Sequence, residues 1–412
     1  MENKLLEGVF FPPIVEINES LNNLKEKKKV RDTFEMCQAV PPYATFRSIR
    51  EALSREILSN ENIGLYTPVE GIDDLRNLLL SGKNYTSFVT AGANAAIYLA
   101  FSSFFSPGDE VLLLTPYYFN HQMALVMLGL KPRFFSLQEE DNFQLKSEKL
   151  ISFLESEEGK NIKGVVLVTP NNPTGAMYKG SELEKLMEFV TEEKGRDIEV
   201  LVDETYRDFD DEHLKELSLE VYLPKNLTLV GSFSKSYALT GYRVGYLIHG
   251  TRKKAALLKV YDTMSICTAH VSQRAAFIAL SSQAVQKELR EKKRELADLQ
   301  KILVREASDL QHFKLVSCGP YFAYLAHPFE EMTAREAGEV LFLETGMRVL
   351  PGTVFGADQE KYLRLAYCNV SPEELKKSFS LLKDFDDKLS KNPTLFHGGK
   401  NGWFESEVSG SV

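Results

Sequence analysis

Cysteine is scarce in this chain and never paired in sequence. Cys37, Cys267, Cys318 and Cys368 stand far apart, and none belongs to a C-x-x-C motif. That spacing signals neither a zinc site nor a disulfide framework, and free thiols fit a reducing compartment. Long hydrophobic runs are missing too. No segment reaches the roughly 20 apolar residues that span a bilayer, and the opening MENKLLEGVFFPPIVEINES lacks an apolar stretch adequate for a secretory signal. Positive charge is in deficit. Lys and Arg number 49 against 58 Asp and Glu, a formal net charge of -9, which argues against general nucleic-acid binding. The basic cluster KEKKK at 25–29 is short and reads as a solvated face. The expectation is a soluble cytoplasmic protein with no membrane or nucleic-acid partner and no metal.

What is present is a βα alternation. The apolar runs SFVTAG, EVLLLTP, RFFSL, GVVLVTP, IEVLVDE, LTLVGSFSK and RVGYLIHG are separated by helical patterns such as SELEKLMEFVTEEKG. Several runs are continuous rather than alternating, as in strands covered on both faces. The fold class expected is α/β, a three-layer αβα domain with a mostly parallel, mixed sheet. The runs near 229 and 245 leave no room for a helix between them, so that pair either runs antiparallel or closes the sheet differently. A single long helix is expected over 271–308. After it, FKLVSCGPYFAYLA, RVLPG, YLRLAY and two further helices read as a smaller α+β unit. The expected division is an N-terminal segment 1–45, irregular because of its prolines, a large domain 46–285, a small domain 286–392, and a loose Gly- and Ser-rich tail 393–412.

Polar residues collect where the predicted strands end, the edge at which open α/β sheets bind ligands. VTAGANAAIYLAF sets Gly92, Ala93 and Asn94 between a strand and a helix. This is either a tight turn with an Asn cap or an anion site at a helix N-terminus. LLTPYYFNH brings Tyr118 to the next strand end, where it could stack on a planar ring or simply fill the core. LVTPNNPTG holds Asn172 in a rigid polar turn. VLVDETYRDF places Asp203 after four apolar residues, where a carboxylate needs a partner, and Tyr206 follows within a turn. GSFSKSYALTGYRVGY is the most demanding stretch, because it wedges Lys235 between two apolar runs. Burial brings a lysine pKa down and leaves a nucleophilic amine, which can form a Schiff base with an aldehyde. Ser232 and Ser234 add hydroxyls, and Arg243 adds a permanent cation suited to phosphate.

This set resembles the class I/II aminotransferases, the fold-type I enzymes of pyridoxal 5'-phosphate (PLP). SFSKSYALTGYRVGY looks like that family's lysine box, and NNPTG and DETY occur in the family's order. The resemblance covers roughly residues 35–390 and implies that PLP is the cofactor. It makes Lys235 the Schiff-base lysine, Asp203 the carboxylate on the pyridine nitrogen, and Asn172 and Tyr206 the hydrogen-bonding partners of the ring's phenolic oxygen. Tyr118 becomes the stacking aromatic, and Ala93, Asn94, Ser232, Ser234 and Arg243 the phosphate cup. Tyr66, in LYTPVEGIDDLR, would reach the phosphate of a partner subunit, which implies a homodimer with shared sites. Arg364, in YLRLAY, would clamp the substrate α-carboxylate. One departure concerns substrate shape: Ala39 stands in CQAVPPYATF where the family often has glycine. The implied reaction moves an amino group from an L-amino acid to a 2-oxo acid. The same residues would also serve a lyase, cyclase or decarboxylase, since fold does not fix function.

Overall fold

The computed structural model describes residues 3–28, 30, 32–79, 84–191, 197–209 and 219–392. A short strand, β1 (Phe34–Glu35), precedes the seven strands of the main sheet. These are β2 (Tyr85–Thr90), β3 (Glu110–Thr115), β4 (Lys131–Ser136), β5 (Ile162–Val168), β6 (Glu199–Asp203), β7 (Leu227–Ser232) and β8 (Gly245–Gly250). Their spatial order is β2-β8-β7-β6-β5-β3-β4. β8 runs antiparallel to both neighbours and every other pair is parallel. The antiparallel step follows from the short link between Ser232 and Gly245, which cannot hold a crossover helix.

The continuous apolar runs are buried on both faces. Helices Ala93–Phe104, Phe119–Met127 and Lys254–Ser265 cover one side through Ala96, Ala100, Leu125, Leu257 and Tyr261. Helices Arg47–Ser59, Gly180–Thr191 and His270–Ser281 cover the other through Ile49, Leu53, Leu186, Val190 and Ile278. The result is the expected αβα sandwich.

A second core surrounds a smaller antiparallel sheet. Its strands are β9 (Lys314–Cys318), β10 (Ala323–Ala326), β12 (Leu350–Pro351) and β13 (Tyr362–Leu365), while β11 (Met347–Arg348) pairs with β1 instead. Helices Ala334–Thr345 and Pro372–Lys391 pack on it. Each starts at a capping box, Thr333 with Glu336 and Ser371 with Glu374, which satisfies otherwise orphaned backbone donors.

Two expectations need correction. The helix expected over 271–308 is broken at Ser282, which closes His270–Ser281 and caps Gln283–Ala307 by accepting from the Val285 amide at 3.5 Å. The second of these helices bridges the two cores: Val285 and Leu289 enter the large one, Leu299 and Leu303 the small one. The N-terminal segment is not irregular throughout, because Pro13–Lys28 is helical. Pro13 opens that helix, the position where a missing N–H costs nothing. Ile17 and Leu21, one turn apart, bury against Phe342, Leu350 and Phe355. The 393–412 tail lies outside the described residues. No described helix is long and apolar enough to cross a membrane. Among the described residues no group of three or more His, Cys, Asp or Glu could hold a metal ion.

Candidate active site

The switch in strand order between β3 and β5 opens a crevice at the C-terminal strand ends, and the chain builds a cleft of about 500 Å³ there. Ala39, Ala93, Asn94, Tyr118, Asn172, Asp203, Tyr206, Ser232, Ser234, Lys235, Arg243 and Arg364 all line it. Of the site residues that the resemblance implies, Tyr66 lies outside. It is 80 % exposed, beside Leu65 at 61 %.

Each side chain is placed by a local device. Asp203 ends β6 and is buried. Its Oδ1 accepts from the Thr205 amide at 3.0 Å and the Thr205 hydroxyl at 2.6 Å, and its Oδ2 faces His121 Nε2 at 3.2 Å. The NNPTG turn divides its two asparagines. Asn171 staples the turn, its Oδ1 accepting from the Thr174 amide and hydroxyl at 3.1 and 2.8 Å. That leaves Asn172 to face the cleft, where its Oδ1 accepts from Arg364 Nη1 at 3.1 Å. Arg364 lies on β13, only 2 % exposed, with its Nη2 donating to the Cys37 carbonyl. No acidic side chain meets that guanidinium among the described residues, and its buried Nε has no hydrogen-bond partner.

Lys235 follows β7, and its amine donates to the Ala39 carbonyl. Burial lowers its pKa from 10.5 to about 8, and Arg364 and Arg243 push the same way. Tyr118 caps the helix Phe119–Met127, and its phenol accepts from Asn120 Nδ2 at 2.8 Å. Burial raises the pKa values of Tyr118 and Tyr206, so both phenols stay protonated as donors.

A second positive region faces the same cleft. Gly92 caps the helix Ala93–Phe104 at φ +82°, a backbone angle that favours glycine. A Cβ there would sit 2.7 Å from Arg243 Nη2. The guanidinium therefore lies against a helix N-terminus, two positive features in contact. Ser232 Oγ accepts from the Ser234 amide at 3.1 Å beside them. The chemistry of this donor set is that of a phosphate cup. A neutralisable lysine, a buried carboxylate and a phosphate cup around one cleft fit PLP.

The family described as "Aminotransferase class I and II" matches residues 31–380. The chain belongs to that family. An aspartate aminotransferase of Pyrococcus horikoshii is 29 % identical over 374 residues, covering 85 % of this chain and 93 % of its own length. Aromatic-amino-acid aminotransferase 2 of Thermococcus litoralis is 25 % identical over 388 residues, 88 % of this chain and 95 % of its own. The fold of Thermus thermophilus aspartate aminotransferase with maleate superposes with a TM-score of 0.80 at 24 % identity, over 93 % of this chain and 99 % of that one. The protein is a PLP-dependent aminotransferase of fold type I, acting on amino acids and 2-oxo acids.

Sequence reasoning missed several groups in this aminotransferase site. His121 was in view within LLTPYYFNH, one turn beyond Tyr118, but its contact with Asp203 spans 82 residues. Thr205 sits inside DETY and went unread. Ile14 and Val40 line the cleft from the N-terminal segment, where no periodic pattern announces them.

Proposed function

We propose that Lys235, Asp203 and Arg364 divide the transamination between them. When bound, PLP supplies an aldehyde and a ring that takes up the electron pair left at the substrate's α-carbon. Asp203 would hold the pyridine nitrogen protonated, its other lone pairs being fixed by Thr205 and His121. Asn172 and Tyr206 would donate to the ring's phenolic oxygen, and Tyr118 would stack on the ring face. Ala93, Asn94, Ser232, Ser234 and Arg243 would hold the phosphate. Arg364 would receive the α-carboxylate in a two-point fork, with Ala39 against the substrate. Lys235 Nζ would hold the cofactor through its aldehyde and, when free, would take the proton from the substrate α-carbon.

The observation that carries this reading is the single cleft in which the buried amine of Lys235 meets Asp203 and Arg364, with burial lowering the lysine pKa. Borohydride reduction of the holoenzyme followed by peptide mapping should put the pyridoxyl group on residue 235. Label on another lysine overturns the assignment.

We also infer a cytoplasmic homodimer. Four free thiols suit a reducing compartment, and Leu58, Leu65 and Tyr66 are 88, 61 and 80 % exposed within nine residues. Such exposure suits a subunit contact, from which Tyr66 would complete the neighbouring phosphate cup. Two inactive variants, Tyr66→Arg and Lys235→Ala, should then partly restore activity on subunit exchange. A mixture no more active than its parts, once exchange is verified, rules out sharing. In this reading residues 46–285 form the large domain, and 286–392 with part of 1–45 the small one.

A further inference from the structure

We propose that Asn369 is the positioning residue that keeps the segment 37–40 over the active site throughout turnover. The proposal rests on the roles given above to Lys235 and Arg364. The segment arrives as the continuation of β1. Its regular pairing ends at Met36, whose amide donates to the Arg348 carbonyl at 3.0 Å and whose carbonyl accepts from the Ala366 amide at 2.8 Å. Beyond Met36, the described hydrogen bonds that tie 37–40 to the rest of the chain come from three side chains. Arg364 donates to the Cys37 carbonyl, Lys235 to the Ala39 carbonyl, and Asn369 spans the interval between them.

Asn369 makes two of these ties with one amide. Its Nδ2 donates to the Gln38 carbonyl, and its Oδ1 accepts from the Val40 amide at 3.2 Å. This is the donor-and-acceptor pair that a strand neighbour would offer, supplied by a side chain where no strand continues. The Cys368 thiol also donates to Oδ1 at 3.2 Å. That thiol stays protonated, since burial pushes its pKa up to about 12.

The three ties differ in what the reaction asks of them. Lys235 Nζ must leave the Ala39 carbonyl to reach the cofactor and the α-proton. The Arg364 fork must present its donors to a carboxylate. Only Asn369 touches neither reactant, so its hold persists while both others are engaged. What it holds matters to binding, because Ala39 and Val40 form part of the cleft wall, together with Ile14.

The test compares Asn369→Ala and Asn369→Asp as holoenzymes. Asp keeps the acceptor for Val40 but loses the donor for Gln38. The expected result for Ala is a KM for an accepted amino acid raised about tenfold, with kcat within about twofold and full PLP content; tenfold corresponds to 1.4 kcal/mol. Asp should raise KM by less. Hydrogen exchange at the Val40 amide, which also donates to the Gln38 carbonyl at 3.0 Å, should be severalfold faster in Ala and near wild type in Asp, measured with the α-methyl analogue of that amino acid bound. An unchanged KM in both variants, or unchanged exchange at Val40 in Ala, overturns the proposal. If Ala does not fold, Asp decides on the same KM readout. Failure of the carboxylate assignment would show separately, as an Arg364→Ala variant that retains its KM.

Discussion

Strand β6 carries a buried carboxylate at each end, and the two are treated differently. Glu199 opens the strand and meets two cations of its own chain, Arg252 Nη2 at 2.9 Å and Lys253 Nζ at 3.0 Å. Asp203 closes it four residues later and meets no lysine or arginine among the described residues, only Thr205 and His121. The cations of that same end, Lys235 and Arg364, rest on carbonyl and amide oxygens. One edge of the sheet has its charges neutralised internally. The other pairs Glu204 with Arg207 at 2.6 Å but leaves Asp203, Lys235 and Arg364 as separated charges of both signs in low dielectric, each poised for a ligand group of opposite sign. The contrast marks the functional edge independently of any motif, since unpaired buried charge is costly to retain without use.

Substitutions should break this contrast in opposite ways. The largest effect is expected at Lys235. Lys235→Ala should lower kcat by about 10⁴ or more, since in the proposed function one residue serves as both nucleophile and base. Its fold should not suffer. The folded-state pKa of about 8 lies below the ordinary 10.5, so the protonated amine opposes folding most below pH 8, and this cost vanishes as pH rises from about 8 to 10.5. At pH 7 the cofactor-free variant should therefore melt roughly 2 °C above the wild type. The same sign makes the wild-type amine reactive early: trinitrobenzenesulfonate labelling of residue 235 in the cofactor-free protein should be half-maximal near pH 8. A labelling midpoint above pH 10 would contradict the burial argument.

Asp203→Asn comes next. A close ion pair at an effective dielectric near 20 is worth about 4 kcal/mol, or roughly three pKa units on the cofactor nitrogen. A fall in kcat of about 10³ follows, with the melting temperature little changed because the amide still fills the site beside Thr205. Comparable losses of kcat and stability would instead make Asp203 a structural cap.

Much of this site could be read in the sequence because it is local. Lys235, Ser232, Ser234 and Arg243 fall in one stretch, and Asn172 and Asp203 each follow a run of apolar residues that could only be a buried strand. The sheet was legible for the same reason, with the antiparallel step between β7 and β8 as one of two arrangements the short link left open. What escaped depends on distant contacts or on ambiguous punctuation. Asn369 meets Gln38 and Val40 across more than 300 residues, and His121 meets Asp203 through the fold alone. Pro12 and Pro13 read as breakers, yet Pro13 begins a helix whose Ile17 and Leu21 find cover only in the tertiary structure. Ser282 sits inside an uninterrupted helical pattern, and its break shows only once both cores are in place.

Arg364→Ala should raise the amino acid KM about a hundredfold, because removing one partner of a buried charge pair costs on the order of 3 kcal/mol. PLP content should be retained, since Arg364 lies on β13, outside the cup formed around Arg243. Steady-state kinetics with an accepted amino acid decides this, and an unchanged KM refutes the role.

The smallest effect belongs to the opposite edge. Glu199→Gln keeps the shape and one acceptor but removes the charge that Arg252 and Lys253 share. Both cations are partly exposed, with side chains 39 and 25 % accessible, so water takes up much of the loss. A charged hydrogen bond is worth about 1.5–3 kcal/mol, and screening should bring the cost here to roughly 1 kcal/mol. That is a fall in melting temperature of about 2 °C, with kcat and KM unchanged. The cost should shrink as salt is raised, because the partners face solvent. A kinetic defect in Glu199→Gln at constant stability would mean that the two ends of β6 are coupled through the strand, and the division between a structural carboxylate and a catalytic one would have to be abandoned.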